Sequence, residues 1–259
     1  MEPKILFIDI ETSPTFAAVW SLFKTNVGVD MIEDDFFIMS YSAKWMGDSG
    51  VIYDDCRNTS EDDMVLLRQI HNLFDQADFV VAHNGDKFDI KKINSRLLMA
   101  GFEPPAPYRT IDTLKIAKKH FGFVSNKLQY LTDRLCTHKK LAHGKYPGYT
   151  LWSECLKGNE EAWEEMKEYN IMDVISLEEL YLVMRPWYST HTVISMYKES
   201  DEETKLCPKC GSTHVHRRGY ARTNGGIYQR YKCMSCGGWS RDRYSETGKE
   251  QNQLRPSSQ

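Results

Sequence analysis

The chain has 259 residues, with 33 Lys and Arg against 36 Asp and Glu, a formal charge of −3, 41% hydrophobic and 27% charged residues. That is room for one α/β domain with a sizeable core and one small appendage, and no apolar run approaches the roughly 18–20 residues of a membrane span. The start, Met1-Glu2-Pro3-Lys4 and an apolar run cut by Asp9, does not read as a signal peptide, so a cytoplasmic protein is expected.

In chain order, residues 4–11 read as a buried strand, Phe36–Lys44 as a second and Val51–Asp54 as a third. A helix is expected near Glu61–Asp75, capped around Thr59 or Ser60. Asp78–His83 reads as a strand and Lys87–Ala100 as a helix stopped by Gly101 and the Pro104-Pro105 pair. Arg109–Asp112 is a short strand, with Asp112 or Thr113 capping a helix that runs to about Phe121. Lys127–Leu135 reads as helix, His143–Gly148 as a loop, and Asn159–Met184 as a long helix ended by Pro186. Strands followed by helices in this order predict an α/β domain with a mixed sheet. Residues 1–187 form that domain, 188–204 a linker and 244–259 a polar, disordered tail.

Between linker and tail lies the most specific local signal. Of seven cysteines, Cys56, Cys136 and Cys155 are scattered and read as buried or inert thiols, while Cys207-Pro-Lys-Cys210 and Cys233-Met-Ser-Cys236 form a paired C-x2-C pattern. An odd total with no leader argues against a disulfide framework. Two such turns, each followed by glycine (Gly211, Gly237), can present four thiolates to one structural Zn²⁺. His214 and His216 are rival ligands that a complete cysteine set makes unnecessary. Residues 205–243 are therefore expected to be a zinc ribbon, with Asn224-Gly225-Gly226 as a hairpin turn.

Charge divides at the same boundary. Residues 205–243 hold nine basic residues and one acid, Asp242, for +8, which leaves −11 on the remainder. Arg217, Arg218, Arg222 and Arg230 are interleaved with Tyr220, Tyr228, Tyr231 and Trp239. Basic residues among aromatics suit phosphate contact and base stacking; the alternatives for this surface are a protein partner or solubility alone.

The catalytic argument starts from misplaced carboxylates. In Ile5-Leu6-Phe7-Ile8-Asp9-Ile10-Glu11 the neighbours are those of a central strand, and period two puts Asp9 and Glu11 on one face, about 7 Å apart. Burying two like charges unpaired costs several kcal/mol each, so a cation is the natural compensation. On the long helix, Ala162, Met166, Tyr169, Asp173, Leu177, Leu180 and Met184 share one face, with Asp173 in the middle of an apolar stripe. Asp89 shares a face with Ile93, Leu97 and Ala100. Four such acids on three elements fit a hard-cation site of oxygen ligands.

Three segments carry a resemblance. Phe7-Ile8-Asp9-Ile10-Glu11-Thr12 is similar to the first motif of the DnaQ-like, RNase H-fold 3′–5′ exonucleases. His83-Asn84-Gly85-Asp86-Lys87-Phe88-Asp89 resembles the second, and Tyr169-Asn170-Ile171-Met172-Asp173 the third, in the Tyr-x3-Asp form that defines the DEDDy group. Asp86 rivals Asp89, but the family pattern and the apolar face both select Asp89, and Asp112 is assigned to capping. The resemblance, over roughly residues 4–185, implies an RNase H-like mixed five-stranded sheet flanked by helices. It implies two Mg²⁺ or Mn²⁺ ions, roughly 3.5–4 Å apart, held by Asp9, Glu11, Asp89 and Asp173. Tyr169 would orient the attacking water, since a phenol of pKa near 10 is a poor general base. Thr12 and Asn84 are the implied contacts to the terminal nucleotide, while Phe16 and Trp20 stay open between base stacking and core.

The expectation is a stand-alone two-metal 3′–5′ exonuclease acting on nucleic acid, DNA before RNA, single-stranded or at 3′ ends. The basic ribbon, with Arg217, Arg218, Arg222, Arg230 and Tyr228, would retain the substrate. A replication or repair protein is a possible partner. The alternatives are a non-catalytic nucleic-acid-binding adaptor on a nuclease fold, and an RNA-directed or endonucleolytic enzyme.

Overall fold

The computed structural model describes residues 2–59, 62–139, 144–188, 193–199, 204–223 and 225–246. The chain divides into two compact units, a larger one of Lys4–Tyr181 and a smaller one carrying the residues from Leu182 onward. No described helix is long and apolar enough to cross a membrane.

The larger unit begins with β1 (Ile5–Thr12), a short hairpin of β2 (Phe16–Ala17) and β3 (Ile32–Asp34), then β4 (Ile38–Trp45) and β5 (Ile52–Asp55). It continues through α1 (Met64–Gln76), β6 (Phe79–Ala82), α2 (Asp89–Met99), β7 (Arg109–Asp112), α3 (Thr113–His120), α4 (Leu128–Leu135), α5 (Thr150–Leu156) and α6 (Glu160–Met184). The main sheet has five strands in the order β5-β4-β1-β6-β7. β1 pairs antiparallel with β4 and parallel with β6, so the sheet is mixed, as expected. Ile5, Leu6, Phe7 and Ile8 are at most 1% exposed, as a strand covered on both faces requires. Leu6, Ile8 and Ile10 join the core formed with α1, α2 and α5. The opposite face of β1 meets α6, where the Phe7 and Tyr181 rings pack edge to face at 5.5 Å.

Three local readings are corrected. α1 starts at Met64 rather than near Glu61, and Thr59 does not cap it; Ser60 and Glu61 lie outside the described residues. The N-cap position falls to Asp63, whose carboxylate is instead committed to Arg96 and to the Ile38 N–H, while Asp62 accepts from the Met64 N–H. α5 is an additional helix, buried through Leu151 and Cys155 only, too short for its period to register. Trp20 is fully exposed, so its core alternative fails, and Phe16 is 40% exposed. The remaining boundaries shift by a residue or two, and Asp112 caps α3 by accepting from the Leu114 and Lys115 N–H groups.

The smaller unit contains β8 (Val215–Thr223), β9 (Gly226–Cys233) and β10 (Trp239–Arg241), an antiparallel sheet in the order β10-β9-β8. Of the hairpin turn Asn224-Gly225-Gly226, Asn224 lies outside the described residues. The Gly211 N–H donates to Cys207 O and the Gly237 N–H to Cys233 O; both glycines have positive φ, 72° and 77°, which closes each cysteine turn without strain. Within residues 188–204, read as a linker, Ile194–Tyr197 forms a 3-10 turn whose Ile194 N–H donates to Pro208 O. In the segment read as a tail, the Glu246 N–H donates to Ile227 O, extending the ordered unit past 243, and residues 247–259 lie outside the described ones.

Candidate metal and active site

The site lies where β1 outruns its parallel neighbour. β6 pairs with β1 only along Ile5–Phe7, so beyond Phe7 the β1 N–H groups on that side need another acceptor. The Ile10 N–H donates to Asp89 Oδ1 at 3.2 Å, across the gap. Asp89 is delivered by a tight turn. Asn84 adopts φ 70°, its N–H donates to Asp112, and its carbonyl accepts from Lys87 and Phe88. A side chain at Gly85 would come within 2.4 Å of the Ala82 Cβ, so only glycine fits. The turn makes Asp89 the first residue of α2. Asp86, its sequence rival, is instead ion-paired with Lys115 at 2.6 Å.

Asp9 and Glu11 project from β1 toward α6, and there the structure brings together Asp9, Glu11 and Asp173, with one carboxylate oxygen of each lying within 4.8 Å of the others. Asp173 is 1% exposed and Asp89 3%. Asp89 lies outside that trio, and burial followed by the neighbouring Asp9 charge pushes its carboxyl well above the usual carboxylate range. Tyr169, one turn before Asp173 on α6, is 9% exposed and lies edge-on to Trp152. Thr12 ends β1 opposite Ile38.

Asn170 is the residue that sequence reasoning passed over. It is fully buried and donates through Nδ2 to Asp9 Oδ2 at 2.7 Å and to the Asp9 carbonyl at 3.3 Å. Its Oδ1 accepts from Ser40 and its backbone carbonyl from Ser42, both buried on β4. Lys44, two residues on, pairs with Glu178 of the same α6. A polar seam therefore runs between β4 and α6, orienting Asp9 from behind. The signal was present as Ser40, Ser42 and Lys44 alternating along an otherwise apolar strand, and as Asn170 beside the Met166–Asp173 stripe.

In the smaller unit the four cysteine sulfurs gather within 4.8 Å of one another, with Sγ separations of 3.7 Å for Cys207–Cys236 and 3.6 Å for Cys210–Cys233. A tetrahedral zinc with Zn–S bonds of about 2.3 Å separates its sulfurs by about 3.8 Å, so the donor set fits that ion. His214 and His216 stand outside the cluster, ring against ring. Burial pushes the Cys136 and Cys155 thiols up to about 12, away from reactivity. The basic residues expected to act together do not share a face. Strand register puts Arg230 and Tyr228 on one side of the sheet and Arg217 and Arg222 on the other, and Arg218 sits at a bulge.

An acidic trio at the C-terminal end of a central strand, in a mixed sheet of order β5-β4-β1-β6-β7, defines a nuclease-type α/β domain. Residues 6–185 match the family model RNase_H_2, described as RNase_H superfamily, and the chain belongs to the RNase H superfamily. It is 42% identical over 71 residues to the DNA polymerase III PolC-type of Ureaplasma parvum, across 27% of this chain and 5% of that one. Among solved structures it is similar to the family B DNA polymerase of Pyrobaculum calidifontis, with a TM-score of 0.49, 14% identity, and coverage of 72% of this chain and 26% of the polymerase. The chain thus spans far less than two thirds of either relative.

Proposed function

We propose that the protein is a two-metal-dependent 3′–5′ exonuclease of the DEDDy type, hydrolysing phosphodiester bonds of nucleic acid, with DNA the favoured substrate. The convergence of Asp9, Glu11 and Asp173 oxygens beside buried Asp89 carries this reading. An all-oxygen, carboxylate-rich donor set suits Mg²⁺ or Mn²⁺, and cations would offset the charge that the fold concentrates there. The name of the PolC-type relative supports DNA as the substrate.

When bound, the cations supply Lewis-acid stabilisation of the reacting phosphoryl group and a water of lowered pKa. The chain's own residues do the positioning. Asp9, held in place by Asn170, would hold the ions together with Glu11 and Asp173, and Asp89 would serve them directly or through water. The Tyr169 hydroxyl orients the attacking water, and Thr12 and Asn84 contact the terminal nucleotide.

In the second unit Cys207, Cys210, Cys233 and Cys236 hold one structural Zn²⁺, and the ribbon of residues 205–243 retains the substrate that the −11 body would otherwise repel. Removal of residues 205–259 then weakens binding of long substrates and flattens its salt dependence, while turnover on short oligonucleotides persists. Unchanged affinity for long substrates refutes that role. For the reaction itself, 5′-labelled single- and double-stranded DNA and RNA incubated with Mg²⁺ should give a ladder shortening from the 3′ end, strongest on DNA. Internal cuts only would make the enzyme an endonuclease, and no cleavage with any divalent metal would make it a binding protein.

A further inference from the structure

Register divides the ribbon sheet into two chemically different faces. Along β9, Gln229, Tyr231 and Cys233 are buried, while Tyr228, Arg230 and Lys232 point the other way. β10 pairs Trp239 with Lys232 and Arg241 with Arg230, so these two residues join the same outward face. On β8, His216 pairs with Lys232 and Ala221 with Tyr228 and complete it. The one acid between residues 205 and 243, Asp242, belongs to the opposite side, where it is bonded to Lys205 and to the Tyr231 hydroxyl.

The outward face is organised as well as charged. The Arg230 guanidinium lies over the Trp239 ring at 4.8 Å, with the Lys232 ammonium at 5.9 Å from the same ring, and the Arg241 guanidinium lies over Tyr228 at 3.9 Å. Arg230 is further held by its Nε–H, which donates to Arg218 O. Trp239 remains 46% exposed. A cation laid against a ring is pre-organised, so less rotamer entropy is lost when its remaining donors engage a phosphate. Flat π faces alternating with cations are what an unstacked strand requires, because its bases need planes and its backbone needs charge. A duplex keeps its base faces buried in its own stack and can use only the charge. An acidic peptide would use the charge and leave the rings idle.

We infer that the face formed by Tyr228, Arg230, Lys232, Trp239 and Arg241 is a stacking platform for single-stranded nucleic acid. Trp239 takes a base, and Arg230, Lys232 and Arg241 hold the adjoining phosphates. Arg217 and Arg222, on the far side, contribute only long-range charge. This deepens the proposed role of the ribbon and rests on it, but its readout is binding without cleavage. Loss of cleavage with platform binding intact would therefore reject the nuclease reading alone.

The test uses the full chain without added Mg²⁺ or Mn²⁺, and anisotropy of a fluorescein-labelled oligothymidylate over a series of salt concentrations. Trp239→Ala should weaken binding about tenfold or more, and Trp239→Phe should restore most of it. Trp239→Leu keeps an apolar contact without the π face and should behave like the alanine variant, which covers any disturbance of the sheet. Arg230→Ala with Lys232→Ala should lower the slope of log affinity against log salt by about 1.4, two phosphate contacts' worth. The charge-matched pair Arg217→Ala with Arg222→Ala should leave that slope nearly unchanged. Zinc content of one per chain establishes that each variant retains the ribbon. Equal losses from the two charge-matched pairs, full affinity in Trp239→Leu, or a labelled duplex of equal length bound as tightly as the single strand each overturns the platform.

Discussion

Replacing Asn170 by alanine isolates the positioning of Asp9. The side chain is fully buried, donates to Asp9 Oδ2 at 2.7 Å, and accepts from Ser40 at 3.3 Å. A hydrogen bond to a charged group contributes about 1.5–3 kcal/mol and a neutral one about 1, so the substitution should cost about 3 kcal/mol of stability. For a unit of this size each kcal/mol lowers Tm by about 2–4 °C, which gives a fall of about 6–12 °C. The larger consequence is for metal. Outer residues that orient a ligand are worth about 10–100-fold in metal affinity or activity, so Mn²⁺ binding by calorimetry should weaken by that factor below the variant's Tm. Asn170→Asp keeps the shape, loses the donor, and should bind no better than the alanine variant despite its added charge. A folded Asn170→Ala protein with wild-type Mn²⁺ affinity would refute the argument that the β4–α6 seam sets the Asp9 carboxylate.

Other expectations follow from particular contacts. Arg96→Ala removes the guanidinium from the fully buried Asp63 carboxylate, leaving it the Ile38 N–H, and should cost about 3–5 kcal/mol in urea unfolding with the metal site unaffected. Burial acts to raise the Glu179 carboxyl, but the Thr137 and His138 N–H donors outweigh it and hold it down at about 2. A depressed carboxyl contributes stability above its unfolded pKa and loses it as pH falls. Glu179→Gln should therefore lower Tm at neutral pH, by about 1 kcal/mol equivalent, and the gap from wild type should close between about pH 4.5 and pH 2. The purified chain should contain one zinc by elemental analysis. Cys210→Ser should contain none, and hydrogen exchange should then show loss of protection in β8–β10 while β1 and β6 stay protected.

The fold was legible where residues contradict their surroundings. The apolar neighbours of residues 9 and 11 marked β1 as central and their acids marked a site, and Arg109–Asp112 was read end to end as β7. Asp173 stood out because its face of α6 is otherwise apolar, and the structure brings it to Asp9 and Glu11. Asn170 did not stand out, because a neutral amide beside a stripe has no pattern of its own until β4 supplies Ser40 and Ser42. The β2–β3 hairpin and α5 were missed for a different reason. Two- and three-residue strands and a seven-residue helix carry too few repeats to reveal a period. The ribbon's basic residues could be counted in the sequence but not sorted by face, since a bulge between Arg217 and Tyr220 resets the alternation that decides which side each faces.

The proposed reaction is phosphodiester hydrolysis at the Asp9–Glu11–Asp173 cluster. The direct measurement is the single-turnover cleavage rate of a 5′-labelled single-stranded DNA with Mg²⁺ or Mn²⁺, wild type beside Asp9→Ala at matched thermal stability. The wild type should give a ladder from the 3′ end and the variant a rate lower by about a thousandfold or more, as loss of several kcal/mol of transition-state stabilisation requires. Cleavage that persists at the wild-type rate in Asp9→Ala would contradict it.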